Sequence, residues 1–339
     1  MNFNLTDSIC EAVKKAQKGQ IYFKEIFDNS DLQVANNEFL FFIKPEITVE
    51  SDTIQLKKIL ELIQNQIKTF GLNVHNVKLL SSEYLEQYSI ISQHYGVINK
   101  IATNAVEYMS ETAKDKFLDL YGKSIYDLKV MGGIEFLNYN IYFNAYVLDY
   151  LWQNKENLKL AGGTYCEDIK VDDEIIYLIN GFHPRQLKHF TERGRSIVVM
   201  TLSGDLSWKV ARNDVIGATN PAKANEGSIR RELLENKISL GLPEVSQGMN
   251  GVHLSAGPVE ALIELRRYNS DFRNENKIIN YENFSFGKEL YKNFSDDIVS
   301  RILENDNLVI NNKNVSIFEY TEEMNSDEAL QLLSQFYRK

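Results

Sequence analysis

The chain has 339 residues, room for two average domains or one enlarged one, and its 43% apolar content is ample for a core. A formal charge of −10 disfavours general attraction to nucleic acid or to an anionic membrane, though local charge still decides whether a small anion binds. Cys10 and Cys166 form no CxxC pair and are too few for a disulfide scaffold, so a reducing, cytoplasmic setting is expected.

Residues 1–35 read as a helix followed by a polar connection. Their opening, MNFNLTDSICEAVKKAQ, lacks the basic start and apolar run of a signal peptide, and no later stretch approaches the roughly 18–20 apolar residues that span a bilayer. FLFFIK (39–44) is a compact apolar run stopped by Pro45, which reads as a buried central strand. Beyond the polar SDT (51–53), Leu56, Ile59, Leu60, Ile63 and Ile67 recur at helical spacing, predicting a helix over about 53–69 that Gly71 ends. A short strand follows over 74–80, and SSEYLEQY restarts a helix capped by Ser81 or Ser82. Residues 96–178 are rich in tyrosine and asparagine, with a helix near 101–118 and apolar patches over 125–150. GFHPRQLKHF (181–190) reads as a helix with an N-terminal proline, and SIVVMTL (196–202) as the second core strand. Residues 203–257 have little periodicity and much chemistry. A short helix covers 258–268. The tail, 277–339, carries strands at LVI (308–310) and VSIFEY and a final helix near 326–337. This order predicts an α+β sandwich with a long insertion.

Three places carry chemistry. In RNDVIGATNPAKANEGSIRRE (212–232), Asn220-Pro221 and Glu226-Gly227 are turn signals, so the loop exposes its side chains. Thr219 offers a hydroxyl there and Arg230 a planar fork suited to phosphate oxygens, with Arg212 and Arg231 adding charge; the plainer reading is a solvated loop with wet arginines. Lys44 ends an apolar strand, where its stem either snorkels to water or holds a point charge ready for a phosphate. In NGVHLSAG (250–257), His253 is an ordinary structural histidine unless the chain folds back at Ala256-Gly257. In that case Glu260 or Glu264, four residues apart on the next helix, faces the imidazole. Gly257 or Ser255 caps that helix and Pro258 fits its first turn. A neutral imidazole steadied by an acid is a competent nucleophile toward phosphorus, with Asn250 and Ser255 placed to orient the transferred group.

The segments FLFFIKPE, SIVVMTLSG, DVIGATNPAKANEGSIR and NGVHLSAGPVEALIEL, in that order, resemble the nucleoside diphosphate kinase family over about 38–80 and 180–268. The resemblance implies a ferredoxin-like βαββαβ sandwich with additional helices. It also implies transfer of the terminal phosphate of a nucleoside triphosphate to a nucleoside diphosphate, by a ping-pong route through phosphohistidine. Position by position, His253 matches the phosphorylated histidine, Glu264 its helical partner and Ser255 the serine two residues on. Lys44, Asn250, Thr219 and Arg230 match residues that contact phosphate or sugar, and Mg²⁺ would ride on the nucleotide phosphates.

Several positions depart from the family pattern. Its second loop arginine falls at Asn213, while here the arginine is Arg212. A tyrosine near the second helix maps to Tyr88 or Tyr95, and the base-stacking aromatic to His183 or its neighbour Phe182. Leu254 replaces a glycine beside the nucleophile and Ala256 an aspartate. The resulting division is an N-terminal extension (1–35), a kinase-like domain (36–276) with an insertion at about 96–178, and a C-terminal α/β extension (277–339). The implied partners are nucleoside tri- and diphosphates, with neither nucleic acid nor membrane, and the assembly a homo-oligomer with a dimer favoured. The alternative function is a nucleotide-binding regulatory or scaffold protein with weak or no kinase activity.

Overall fold

The computed structural model describes residues 4–29, 32, 34–310 and 313–337. The polar connection expected before residue 36 is in part a strand, Phe23–Asp28, which pairs antiparallel with Asn73–Ser81, and its residues 30, 31 and 33 lie outside the described residues. The chain forms two compact units, residues 1–84 with 193–339 and residues 85–192. Among the described residues, no helix is long and apolar enough to cross a membrane.

The first unit is an α+β assembly around one sheet. Its strands are β1 (Phe23–Asp28), β2 (Asn37–Ile43), β3 (Asn73–Ser81), β4 (Ser196–Gly204) and β5 (Val252–Leu254). They lie in the order β1-β3-β4-β2-β5, and every neighbouring pair is antiparallel. β2 and β4 are buried along their whole length. A strand covered on both faces has no polar side to show, which is why FLFFI and SIVVMTL read as unbroken apolar runs.

On one face, Phe39, Phe41, Ile43, Val77, Leu79, Val198 and Met200 share a core with α1 (Leu5–Gln17) and α2 (Leu56–Thr69). The helices contribute Ile9, Ala12, Val13 and Ala16, and Ile59, Leu60, Ile63 and Ile67, each set spaced to fall on one helical stripe. α2 starts later than residue 53 because the Ser51 hydroxyl takes the N–H groups of Thr53 and Ile54, which keeps them out of the helix. Of the two candidate caps at 81–82, Ser81 accepts the N–H of Tyr84. On the other face, Phe42 meets Tyr268, which lies on a helix that follows β5.

That stretch holds α3 (Ile229–Glu235), which precedes β5, and α4 (Pro258–Asn269), which follows it directly. Beyond them come α5 (Ser285–Asn293) and α6 (Asp296–Leu303), then a hairpin of β6 (Asn307–Ile310) and β7 (Lys313–Ser316). α7 (Ile317–Thr321) and α8 (Ser326–Tyr337) close the chain. The strand expected at VSIFEY stops at Ser316, whose hydroxyl accepts the Glu319 N–H and starts α7. Two β2 residues tie this tail to the sheet. Asn37 accepts the N–H and hydroxyl of Ser326, and Glu38 accepts those of Ser285.

The second unit has its own sheet. Val130–Gly132 pairs parallel with Glu174–Ile179, which pairs antiparallel with Thr164–Val171, itself antiparallel to Leu158–Ala161. The single helix expected near 101–118 is instead three pieces, Gly96–Thr103, Ala105–Tyr108 and Glu111–Tyr121. Asn104 and Ser110 cause the breaks, since their side chains accept the N–H groups of Glu107 and Ala113 in place of helical carbonyls. The helix expected over 181–190 is present as His183–Thr191.

Candidate active site

His253 sits in the middle of β5, opposite Phe42 of β2, and its ring stacks on that phenyl with centroids 4.5 Å apart and planes 20° apart. Strand alternation sends Val252 and Leu254 into the apolar core instead. The bulk of Leu254 therefore lies on the face away from the imidazole, and the His253 side chain keeps 19% of its surface exposed.

The chain folds back at Ala256-Gly257, and α4 carries Glu264 to the imidazole. Nε2 of His253 lies 3.2 and 3.1 Å from the two carboxylate oxygens of Glu264, a buried residue. An ionised carboxylate only accepts, so the shared proton belongs on Nε2, and the lone pair of a neutral ring is then on Nδ1. The Ser255 hydroxyl donates to Glu264 Oε2 at 2.6 Å and lies 3.3 Å from the Leu40 carbonyl. Ser255 is fully buried, so it steadies the acid.

Glu260, the other acid that spacing alone leaves open, turns to the chain reversal and accepts the Ala256 N–H at 3.0 Å. Burial first, and then the negative charge of Glu264, hold its carboxyl well above the usual carboxylate range, against the pull of the Ala256 N–H and Arg212. Gly257 is the N-cap of α4, with Pro258 in its first turn and no side-chain cap bond.

Cationic groups approach from β2 and α3. Lys44, just past β2, donates from Nζ to Asn250 Oδ1 at 2.7 Å, while its backbone N–H reaches the Gly251 carbonyl at 2.9 Å. Burial pushes the ammonium down to about 8, Glu46 opposing the shift and Arg230 adding to it. The Asn250 amide donates to the Thr219 carbonyl at 3.0 Å, which anchors the loop and leaves Thr219 exposed. Arg230, on α3, donates to the carbonyls of Gly217 and Val252, both at 2.9 Å. Gly217 has φ 92°, and a Cβ there would sit 2.5 Å from Ser228 Oγ, so only glycine lets the loop pass. Hydrogen bonds thus tie Lys44, Asn250 and the Thr219 backbone into one cluster and His253, Ser255 and Glu264 into another, with Arg230 bonded to the strand backbone at Val252, next to His253.

Arg212 is held differently. It lies in a π-helical turn, Ala211–Ile216, where its Nη1 bonds the Glu322 carboxylate and lies 3.5 Å from that of Glu323. Asn213 beside it donates to the Lys209 carbonyl. Tyr88 and Phe182 belong to the second unit. Phe182 is half-buried there against Trp152 and Tyr165. His183 is fully buried with its ring nitrogens on Gln186 and Asn99, and Tyr95 meets its ring edge-on.

Two groups at the site escape sequence reasoning. Glu46 accepts the Gly251 N–H at 2.9 Å, and an acid two residues after Lys44 is the only signal for it. Glu322 lies 110 positions from Arg212, and nothing in the pattern links them.

No protein-family model and no curated protein matches the chain. Among solved structures it is similar to an NDP kinase from Pyrobaculum aerophilum, with 18% identity over 72% of this chain and 98% of that one and a TM-score of 0.34. A likeness at that level transfers neither fold nor activity.

Proposed function

We propose that the chain is a nucleoside diphosphate kinase-like phosphotransferase that carries the terminal phosphate of a nucleoside triphosphate to a nucleoside diphosphate through a phosphohistidine at His253. The observation that carries this reading is the buried Glu264 carboxylate within 3.2 Å of His253 Nε2 by either oxygen. That contact selects the tautomer with its lone pair on Nδ1 and stabilises the cation that develops when Nδ1 attacks. The Nδ1 lone pair forms the N–P bond as the β–γ bridging P–O bond breaks, and the electron pair leaves on the diphosphate. In the second half, a terminal oxygen of the acceptor diphosphate attacks phosphorus, and the N–P electrons return to the ring.

Lys44 and Arg230 supply the positive charge that an in-line transfer needs around the equatorial oxygens, Asn250 holds the Lys44 ammonium in place, and Thr219 offers a hydroxyl from the loop. An ammonium and a guanidinium suit phosphate oxygens. Mg²⁺ would therefore arrive on the nucleotide, where it neutralises phosphate charge. The strand order β3-β4-β2-β5, with α2 and α3 as crossovers, supports a ferredoxin-like βαββαβ plan. The N-terminal helix, the insertion at about 96–178 and the tail 277–339 are then additions to it.

Incubation with γ-labelled ATP and Mg²⁺ tests the reading. An acid-labile, base-stable label that is absent in His253→Ala and is discharged as GTP on adding GDP is expected. Nucleotide binding without label would instead favour a regulatory or scaffold role, and label released as free phosphate a hydrolase.

A further inference from the structure

The turn Ser255-Ala256-Gly257 joins the strand of His253 to the helix of Glu264, so its shape sets how the imidazole meets the carboxylate. Its central residue is gripped on both sides. The Ala256 N–H goes to Glu260. The Ala256 carbonyl accepts the Glu323 N–H at 2.9 Å and lies 3.4 Å from Arg212 Nη1. The C-terminal segment comes so close that a Cβ on Gly257 would sit 2.5 Å from the Thr321 carbonyl. Glu323 takes φ 61°, a conformation unfavourable for a residue with a Cβ, and in it delivers its N–H to Ala256. Arg212 completes the arrangement by bonding Glu322 and lying beside Glu323, the two acids of the same segment.

We infer that Arg212 is a positioning residue: it ties the segment Thr321–Glu323 to the Ser255–Gly257 turn and so keeps His253 and Glu264 in register, instead of meeting the transferred phosphate. The inference rests on the phosphohistidine reading. Two carboxylates already face the guanidinium, and a phosphate would have to displace them before Arg212 reached it. The peptide that Arg212 does touch lies three residues from the nucleophile, where a shift of an ångström or less matters for in-line attack.

Arg212→Met, Glu322→Gln, Glu323→Gln and Arg212→Met/Glu322→Gln test it. The glutamine variants keep the side-chain shape and so the fold. The expected result is single-turnover labelling of His253 slowed on the order of ten-fold in Arg212→Met and in Glu322→Gln, no further slowing in the double variant, and KM for ATP within about two-fold of the parent. In the nucleotide-free protein, ¹⁵N NMR of His253 should shift from the Nε2–H tautomer toward a mixture in the same variants. A KM raised ten-fold in Arg212→Met but unchanged or lowered in Glu322→Gln would make Arg212 a phosphate ligand and overturn the inference. If even the parent takes no label, the phosphohistidine reading fails by itself. The NMR measurement then still decides the positioning role, and an unchanged His253 spectrum in all four variants overturns it.

Discussion

Lys44 shows how much one charge state decides. Its ammonium titrates at about 8 because burial disfavours the charged form, and only that form attracts a phosphate. Nucleotide affinity should therefore hold below pH 8 and weaken roughly ten-fold per unit above it, as binding draws on a shrinking protonated fraction. Calorimetric titration with ADP across pH 6.5–9.5 checks this, and Lys44→Arg, which stays charged, should remove the break. Glu260 makes the opposite kind of prediction. Its carboxyl is raised in the folded chain, so its contribution to stability is fully present below the unfolded carboxylate pKa and is lost as pH rises through the folded one. Glu260→Gln should thus melt several degrees above the parent at pH 9, and the two should converge near pH 4. Glu264→Gln keeps the shape and loses the charge that, on the proposed phosphohistidine route, stabilises the developing imidazolium. Labelling of His253 should fall on the order of a hundred-fold, measured by rapid quench.

At the scale of elements, legibility followed periodicity. β2 and β4 are central strands covered on both faces, so their apolar runs were unambiguous, and α2 shows a clean stripe of Ile59, Leu60, Ile63 and Ile67. Phe41, fully buried between the helices and the sheet, should cost about 3–5 kcal/mol when replaced by alanine, as read from urea melts. Elements built on side-chain capture of backbone N–H groups were harder to read. Asn104 and Ser110 cut the helix near 101–118, and Ser316 turned half of VSIFEY into α7, because a polar side chain competes locally with the ladder that periodicity presumes. The 203–257 stretch lacks a period because its order comes from Asn250 and Arg230 gripping the carbonyls of Thr219 and Gly217, and from the turn at Gly217, where a Cβ would meet Ser228.

For the whole molecule, residues 85–192 leave the first unit between two adjacent strands. Ser81 pairs with Ser196, and the Ser82 N–H reaches the Arg195 carbonyl at 2.8 Å, so the ends of the excursion start from neighbouring points. Replacing 85–192 by a short Gly/Ser loop should leave a first unit that still melts cooperatively in circular dichroism, since the loop-closure cost rises only slowly with length. Deleting the segment after residue 283 should do the reverse. It removes α5 and α8, whose first turns satisfy Glu38 and Asn37, and so strips the buried Glu38 carboxylate and the Asn37 side-chain oxygen of the serine donors they accept from.

By itself, the sequence determined the central strands, the amphipathic helices and the candidate chemistry of His253, Lys44 and Arg230, because hydrophobic period and residue type act over a few neighbours. Spacing along the chain leaves Glu260 and Glu264 open and the family resemblance favours Glu264, which the structure sets against the imidazole; only the tertiary structure decided that Glu260 turns to the Ala256 N–H, that Leu254 turns into the core, and that Arg212 belongs to Glu322 and Glu323. Those choices depend on the direction of a turn and on contacts between residues as much as 110 positions apart, which the order of residues along a chain does not encode locally.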